Sequence, residues 1–225
     1  ASTIAFCNTR AQCRDLVEVL QAQGLVALAL HGDLEQRERD QVLIQFSNGS
    51  CTVLVATDVA ARGLDIVGLE CVINVDISQD AEAHIHRIGR TGRAGAEGLA
   101  LNLASLDEMG RIGRIEALVG HELKWQPLDQ LKAAPGGPLV PPMDTLQILG
   151  GKKEKIRRGD ILGALTGEAG FEAAQIGKIH ITDFHCYVAV ERGIAHEAVR
   201  RLSNGKLKGR KVKVRRLTDL IAGEL

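Results

Sequence analysis

The sequence has few aromatic residues and no long apolar run. Phe, Trp and Tyr together make up 3% of its 225 residues, so a base-binding surface built from several aromatic side chains is not favoured. No apolar run approaches the roughly 20 residues that a helix needs to span a bilayer, and no signal peptide is visible. We therefore expect a cytoplasmic protein that has no membrane partner.

Cysteine is scattered, which argues against a metal site. The five cysteines include no pair with CxxC spacing, whereas structural zinc sites usually contain such pairs. An odd number of cysteines without metal spacing indicates reduced thiols, most of them in cores, as in cytosolic proteins. We expect no metal site formed by this chain alone.

Proline is confined to one stretch. All five prolines lie between Pro127 and Pro142, in a segment that also contains two adjacent glycines. Proline fixes φ and cannot donate a backbone hydrogen bond, so this stretch excludes both a helix and a central strand. A structured loop within one domain is the alternative to a linker. We expect a first domain at 1–126, a linker at 127–144, a second domain at 145–216 and a tail at 217–225.

The net charge of zero conceals two halves of opposite sign. Residues 1–144 contain 12 Lys or Arg and 19 Asp or Glu, a balance of −7, and residues 145–225 contain 16 and 9, a balance of +7. An acidic module joined to a basic one suggests that the basic module binds a polyanion. Chance unevenness is the alternative explanation.

Strand and helix signals alternate up to the linker, from a strand-like run at 3–7 to a helix predicted over Asp107–Val119. Repeated βα units predict an α/β fold with a parallel sheet and helices on both faces, and ligands of such sheets bind at the carboxyl ends of strands. After the linker the order is βαββαβ, the smaller α+β arrangement of RNA-recognition motifs. Its first helix is predicted at Gly159–Leu165 and its last strand at Lys211–Arg215.

Three segments of the first domain combine glycine with polar and cationic side chains: HGDLEQRER (31–39), ATDVAARGLD (56–65) and HRIGRTGR (86–93). Glycine lets the backbone approach a ligand closely, and the planar fork of arginine fits phosphate oxygens. Taken alone, the third segment could also be an arginine-rich surface loop paired with acids. In this order, and with IAFCNT (4–9), the segments resemble motifs of the C-terminal RecA-like domain of DEAD-box RNA helicases over residues 3 to about 126.

This resemblance implies a role for individual residues in an RNA-stimulated ATPase that unwinds short duplexes locally. Arg90 and Arg93 would be arginine fingers that neutralise charge on the γ-phosphate. Contacts to RNA phosphates and sugars would position the strand without reading its sequence. The remaining implied roles are ATP binding by Asp65, Arg62 and Gly63, coupling to an N-terminal domain by Asp58, His86 and Arg62, and RNA contact by Thr9, Gly32, Arg39 and Thr57.

The sequence has neither a GxxxxGK[ST] phosphate loop nor an Asp-Glu-Ala-Asp run. In the family that this chain resembles, both belong to the N-terminal RecA-like domain. We therefore expect ATP with Mg²⁺ to bind only jointly with that domain, and we expect no ATP hydrolysis by this chain alone. The strand-like run that starts almost at the first residue also favours a piece of a longer protein.

The second domain has weak stacking positions and many cations. Gln147 lies about where RNA-recognition motifs carry Phe or Tyr, which leaves His185 and Tyr187 as stacking candidates. Cations suited to a phosphate backbone form two groups, and the sequence leaves open which one dominates. A solvated face, or an edge strand protected by lysine, is the alternative. The two groups are Lys152, Lys153, Lys155, Arg157 and Arg158, and Lys206, Lys208, Arg210, Lys211, Lys213 and Arg215.

The run KIRRGDILGALTGEAGFEAAQIGKIHITDFHCYVAVE (155–191) is similar to the C-terminal domain of the DbpA group of bacterial DEAD-box proteins, over residues 145–216. This resemblance implies binding to hairpin 92 of 23S ribosomal RNA and a role with precursors of the large ribosomal subunit. Duplex and single-stranded RNA are the other expected partners, and we expect a monomer. Two alternatives stay open: a cold-shock or RNA-decay helicase of broader RNA specificity, and a non-catalytic protein-binding module.

Overall fold

The computed structural model describes residues 2–64, 66, 68–92, 97–133 and 135–219. Two predicted site residues, Asp65 and Arg93, lie outside this set. The chain divides into two compact units, one formed by Ala1–Arg39 and Thr52–Val140 and the other by Asp40–Cys51 and Pro141–Leu225.

The first unit is built on a five-stranded parallel sheet, as the alternating signals predict. The spatial order of the strands is β2-β3-β1-β4-β5. The strands are β1 (Thr3–Phe6), β2 (Ala27–Leu30), β3 (Val53–Ala56), β4 (Cys71–Asn74) and β5 (Leu99–Asn102). The helices between and after these strands are α1 (Arg10–Ala22), α2 (Gln36–Ser47), α3 (Asp58–Ala61), α4 (Ala81–Ile88) and α5 (Met109–Val119). Residues 40–47 of α2 belong to the second unit.

Helices cover both faces of this sheet. Alternate residues of a strand point to opposite faces, and Ala5 packs towards α1, where Cys13 is fully buried and Leu16 contacts the same cluster. Phe6 points to the other face, where the guanidinium of Arg87 on α4 lies 5.1 Å from the centre of its ring. The RecA-like α/β layering is therefore confirmed.

Two helices of the first unit differ from the sequence prediction. The short helix α3 was not expected, because four residues are too few to show a helical period. Helix α5 begins at Met109, later than the expected Asp107, because Leu106–Glu108 form a 3₁₀ turn in which the Glu108 carboxylate accepts a hydrogen bond from the Ser105 backbone N–H at 3.0 Å.

The second unit contains a four-stranded antiparallel sheet with the order β7-β8-β6-β9. Its apolar face packs on two helices through a core that includes Leu146, Ile161, Leu165, Val188 and Leu202. This confirms a smaller α+β domain in addition to the RecA-like one. The elements are β6 (Met143–Leu149), α6 (Arg158–Gly163), β7 (Ile176–Ile181), β8 (His185–Glu191), α7 (Ala195–Asn204) and β9 (Val214–Arg216).

The last strand is shorter and lies later than predicted. It pairs with β6 only from Val214 to Arg216. A further backbone hydrogen bond joins Leu149 N–H to the Lys213 carbonyl at 2.9 Å. The backbone after β6 then turns away at Gly150, where φ is +127°. Lys211 thus has no strand partner, so the alternating pattern of 211–215 overestimated the strand.

Several classes of site do not occur in the described part of the chain. No described helix is long and apolar enough to cross a membrane. No group of three or more His, Cys, Asp or Glu among the described residues could hold a metal ion. The five cysteines, all of them described, form no disulfide, and four of them are buried.

Arg87 attaches α4 to the carboxyl edge of the first sheet. Its side chain is only 1% exposed. Its Nε and Nη2 each donate to the Asp58 carboxylate at 2.6 Å. Its remaining bonds reach Asn74 Oδ1 at 3.3 Å, the Asp76 carbonyl at 2.8 Å and Asn8 Oδ1 at 3.0 Å. One buried cation therefore joins the segments that follow β1, β3 and β4.

Arg87→Met should lower the free energy of unfolding of the first unit by about 3–5 kcal/mol. The change removes every hydrogen bond of the buried guanidinium and leaves the partly buried Asp58 carboxylate without its counter-charge. Urea unfolding followed by the fluorescence of Trp125, the one tryptophan, measures this unit. Arg14→Ala is the control, because the Arg14–Asp33 pair at 3.3 Å is half exposed and should contribute less than about 1 kcal/mol. Equal effects of the two changes would contradict the assigned role of Arg87.

Candidate nucleotide and RNA site

Three of the predicted RNA contacts lie in a row along one edge of the parallel sheet. Gly32 follows β2, Thr57 follows β3 and Thr9 follows β1, and these strands are neighbours in that order. Because parallel strands end at the same edge, residues far apart in sequence are brought to one surface.

Thr9 and Thr57 each begin a helix at this edge. The Thr9 hydroxyl accepts from the Gln12 backbone N–H at 3.2 Å, and the Thr57 hydroxyl accepts from the Ala60 N–H at 3.4 Å. N-terminal turns of helices have backbone N–H groups without intrahelical acceptors, which suits anionic ligands. Thr9 is exposed whereas Thr57 is buried, so Thr57 acts here mainly as a helix cap.

Arg39, the fourth predicted RNA contact, is half-buried and donates from Nη2 to the Ala60 carbonyl in α3. This bond connects the first turn of α2 to the helix that Thr57 begins. The guanidinium has five N–H donors, so one such bond leaves donors for a phosphate. Gly32 is exposed, and it has nothing within 4 Å of the place where a Cβ would lie.

A pocket brings together four of the predicted nucleotide and coupling residues. Arg62 and His86 are exposed at its rim, and Arg90 and Asp58 are partly buried. The described lining of this pocket contains only one carboxylate, that of Asp58, and Arg87 already neutralises it. Arg62, Arg90 and His86 therefore make this rim suitable for an anion. The full lining is Phe6, Asp58, Ala61, Arg62, Ala83, His86, Arg87 and Arg90.

The Arg90 guanidinium is held by backbone carbonyl groups. It donates to the Leu64 carbonyl at 2.6 Å and, more weakly, to those of Ala61 and Ile66 at 3.4 Å each. Among the residues that the structure describes, no carboxylate lies within ion-pairing distance of Arg90. Carbonyl groups orient this cation without cancelling its charge.

The backbone after α3 turns sharply beside Arg90. Gly63 has φ of +76°, a conformation that favours glycine, and Arg62 and Gly63 are both exposed. Asp65, the predicted ribose contact, and Arg93, the second predicted finger, lie outside the described residues, so their placement stays a prediction.

Arg87 is the residue of this site that the sequence analysis missed. The resemblance to family motifs implied roles for His86, Arg90 and Arg93, which flank Arg87. A signal was present, because Arg87 lies three residues after His84 on α4 and both are buried, which is the spacing of one helical face. A buried face that contains an arginine indicates a structural ion pair.

In the second unit, both faces of the central strands β6 and β8 are buried. Tyr187, a predicted stacking residue, is 3% exposed. Its hydroxyl oxygen accepts from Gln147 Nε2 at 3.1 Å and from Gln41 Nε2 at 3.3 Å. Residues 40–51, which belong to this unit, also reach Thr145, whose hydroxyl lies 2.7 Å from that of Ser50. A nucleic-acid base cannot reach Tyr187 in this conformation.

The other predicted stacking residue, His185, is half-buried at the beginning of β8, and its ring centre lies 6.2 Å from that of Tyr187. The nearby His180 does not add a cation. Burial lowers its pKa, and the positive charges of Lys178 and Arg158 lower the pKa further.

All the predicted cations of the second unit are exposed. Arg215 also donates from Nε to Gln147 Oε1 at 2.6 Å. Lys208 Nζ donates to the Lys155 carbonyl at 2.8 Å, so the two basic groups meet in space. Exposed cations combined with a covered sheet face favour contacts to phosphates over base stacking on the strands.

The chain matches two family models. Residues 1–95 match the helicase conserved C-terminal domain, and residues 145–216 match the DbpA RNA binding domain. It is 49% identical over 219 residues to the ATP-dependent RNA helicase DbpA of Escherichia coli (strain K12), an alignment that covers 96% of this chain and 47% of the relative. The DbpA of Bacillus subtilis (strain 168) is 34% identical over 233 residues, covering 95% of this chain and 49% of the relative. The chain thus spans about half the length of these curated relatives.

A solved structure gives the same result. The crystal structure of the E. coli DEAD-box protein SrmB bound to regulator of ribonuclease activity A superimposes with a TM-score of 0.54 and 32% identity, covering 61% of this chain and 81% of that chain. With the carboxyl-edge motifs, the two domain matches and these relatives taken together, this chain belongs to the DEAD-box RNA helicase family.

Proposed function

We propose that this chain supplies the second half of an ATP-dependent RNA helicase whose basic domain directs it to hairpin 92 of 23S ribosomal RNA during assembly of the large ribosomal subunit. The observation that carries the helicase part is the single edge of the parallel sheet, where the cationic pocket of Arg62, His86 and Arg90 adjoins the row of Gly32, Thr57 and Thr9. The similarity to DbpA proteins supports the ribosomal target.

ATP would bind between this edge and an N-terminal RecA-like domain. The rim cations fit the phosphates, and Arg90, with Arg93, would stabilise charge that develops on the γ-phosphate. Asp65, Arg62 and Gly63 would contact the nucleotide, and Asp58 and His86 would couple the two domains. Mg²⁺, which neutralises phosphate charge, would be bound jointly with that N-terminal domain, to which the Asp-Glu-Ala-Asp run of the family belongs.

RNA would lie along the row formed by Gly32, Thr57 and Thr9, with Arg39 beside it. These groups offer a close backbone approach, hydroxyls and one guanidinium, all of which contact phosphates and sugars and do not read base sequence. Specificity would then come from the second domain. For the domains themselves, we propose 1–126 and 145–216, joined by the linker 127–144 and followed by the tail 217–225.

The linker would make the second domain a tether. A flexible linker of this length gives an effective concentration that can reach about millimolar, so binding of one RNA hairpin would keep the ATPase near the adjacent duplex. We propose a cytoplasmic monomer that acts on precursors of the large subunit. Loss of the RNA-binding cations would then reduce targeting and leave the ATP site unchanged.

Two alternatives are separated by one titration of the chain with a ribosomal hairpin, a scrambled hairpin and a single strand. Equal affinity for all three RNAs favours a cold-shock or RNA-decay helicase, whereas absence of affinity favours a non-catalytic protein-binding module. The exposed cations of the second unit argue for RNA over a protein partner. Preference for the ribosomal hairpin supports the proposal.

In the full-length protein, Arg90→Ala and Arg93→Ala should each lower RNA-stimulated ATP turnover by orders of magnitude, because an arginine finger is worth about 10³–10⁵ in rate. A steady-state phosphate-release assay measures the loss, and RNA binding by the second domain should be unchanged. Arg114→Ala, at an exposed position of α5, is the matched control. Turnover that survives either finger substitution would refute that assignment.

The chain of 225 residues alone should hydrolyse no ATP, with or without RNA, because its sequence contains no phosphate loop. Adding the N-terminal RecA-like domain as a separate protein, or restoring the full-length polypeptide, should restore turnover. RNA-stimulated ATPase activity in the pure chain would refute this division of the active site.

Replacing Lys211, Lys213 and Arg215 with Ala should weaken hairpin binding and flatten the dependence of log affinity on log salt by up to about three units, roughly one for each lost phosphate contact. Binding is measured at several salt concentrations. Arg200→Ala is the control, because this exposed arginine is paired with Glu197 on α7. An unchanged slope would move the phosphate contacts to the other basic group, 152–158.

A further inference from the structure

One aromatic ring of the second unit is exposed without a packing reason. Phe184 lies in the turn between β7 and β8 and is 55% exposed. The other aromatic residues described in this unit are at least partly buried: Phe46, Phe171 and Tyr187. An exposed phenyl ring does not contribute the stabilisation that its burial would bring. Its position is therefore a candidate for a contact with a ligand.

A cation lies against this ring. Lys153 Nζ is 4.3 Å from the centre of the Phe184 ring, which is within the range of a cation–π contact. Lys153 approaches from one side, and the ring is still 55% exposed with Lys153 in place. Aromatic surface and a positive charge are therefore presented together at the end of the sheet.

The backbone fixes this pair in place. The turn 182–184 accepts hydrogen bonds from the N–H groups of the basic segment: Lys152 to the Thr182 carbonyl at 2.9 Å, Lys153 to that of Asp183 at 3.1 Å, and Gly150 to that of Phe184 at 2.9 Å. The approach requires glycine at 151, where a Cβ would lie 2.2 Å from the Thr182 carbonyl oxygen. A preformed platform costs little conformational entropy when a ligand binds.

The surroundings carry more cations than free carboxylates. The bond from Lys208 Nζ to the Lys155 carbonyl brings the second basic group beside the first. Of the acids here, Glu154 accepts from the Gly151 N–H at 2.7 Å. Asp160 accepts from the Arg157 N–H at 2.8 Å and lies 3.7 Å from Lys208. The third acid, Asp183, is exposed in the turn.

We propose that Phe184 stacks on an unpaired base of the bound RNA while Lys153 and its neighbouring cations hold the flanking phosphates. The site takes the place of the usual stacking positions on the sheet face, which residues 40–51 cover in this structure. Stacking on a single ring accepts any base, so the site selects for unpaired structure rather than for sequence. The inference rests on the proposed RNA-binding function and adds to it the part of the RNA that is recognised.

The test uses the whole chain and two RNA probes: the 23S hairpin with its unpaired loop, and a blunt duplex of the same stem sequence. Phe184→Ala should lower affinity for the hairpin roughly 5- to 100-fold, the effect of losing one stacked base, and leave duplex affinity unchanged. The salt slope should stay the same, because no phosphate contact is removed. Lys153→Ala should lower the salt slope for the hairpin by about one unit.

Matched variants separate stacking from other causes. Phe184→Trp should retain hairpin affinity because the ring is kept, whereas Phe184→Leu should lose most of it. Leu162→Ala removes an exposed apolar side chain on α6 and should have no effect. A fluorescent adenine analogue in the loop should change its emission on binding to the unsubstituted chain and not to Phe184→Ala.

Three results would overturn the inference. If Phe184→Ala leaves hairpin affinity unchanged, the inference is wrong although the proposed RNA-binding function stands. Equal loss of affinity for both probes would show that the ring does not stack on an unpaired base. Hairpin affinity of Phe184→Leu equal to that of the unsubstituted chain would show the same. If the unsubstituted chain binds neither RNA, the proposed function itself fails, and that outcome is distinct from these three.

Discussion

The two-bond contact between Arg87 and Asp58 is the interaction on which the candidate site depends. Replacing a buried ion pair with well-packed apolar residues is often neutral or stabilising, so stability alone is a poor reason for this pair. Its geometry gives a better one. Both bonds measure 2.6 Å, and the same guanidinium also reaches Asn74 and Asn8, so α4 has one orientation at the edge of the sheet.

That orientation determines where the side chains at the rim of the pocket lie. His86 precedes Arg87 and Arg90 follows it within one turn, so both take their positions from the buried residue between them. The carbonyl groups that bind Arg90 belong to Ala61, the last residue of α3, and to Leu64 and Ile66 in the segment after it. Asp58 is the first residue of α3. The two motifs therefore support each other, because Asp58 anchors α4 and the chain after Asp58 holds the side chain of Arg90. A nucleotide bound at this rim would contact both motifs at once.

The sheet of the second unit has buried polar side chains on its central strands. Polar side chains on the central strands of a sheet must be hydrogen-bonded if they are buried, and Gln147, Tyr187 and Thr145 find their partners within the protein. The polar side chains on this strand face thus have hydrogen-bond partners without RNA. The cations lie at the end and at the edge of the sheet. Long-range attraction to phosphates would act at that surface whatever RNA sequence is present, and the proposed platform of Phe184 and Lys153 would add a short-range contact to it.

The sequence by itself determined the βα alternation, the excess of Lys and Arg in residues 145–225 and the family motifs, because each is a local pattern. It did not reveal that Arg87 is buried or that α3 exists, since burial and a one-turn helix depend on neighbours distant in the chain. It placed Tyr187 correctly on a central strand, but only the tertiary structure decided that residues 40–51 cover this strand. It also overlooked Phe184, because the position of a ring in a turn gains meaning only when a lysine of another segment folds against it.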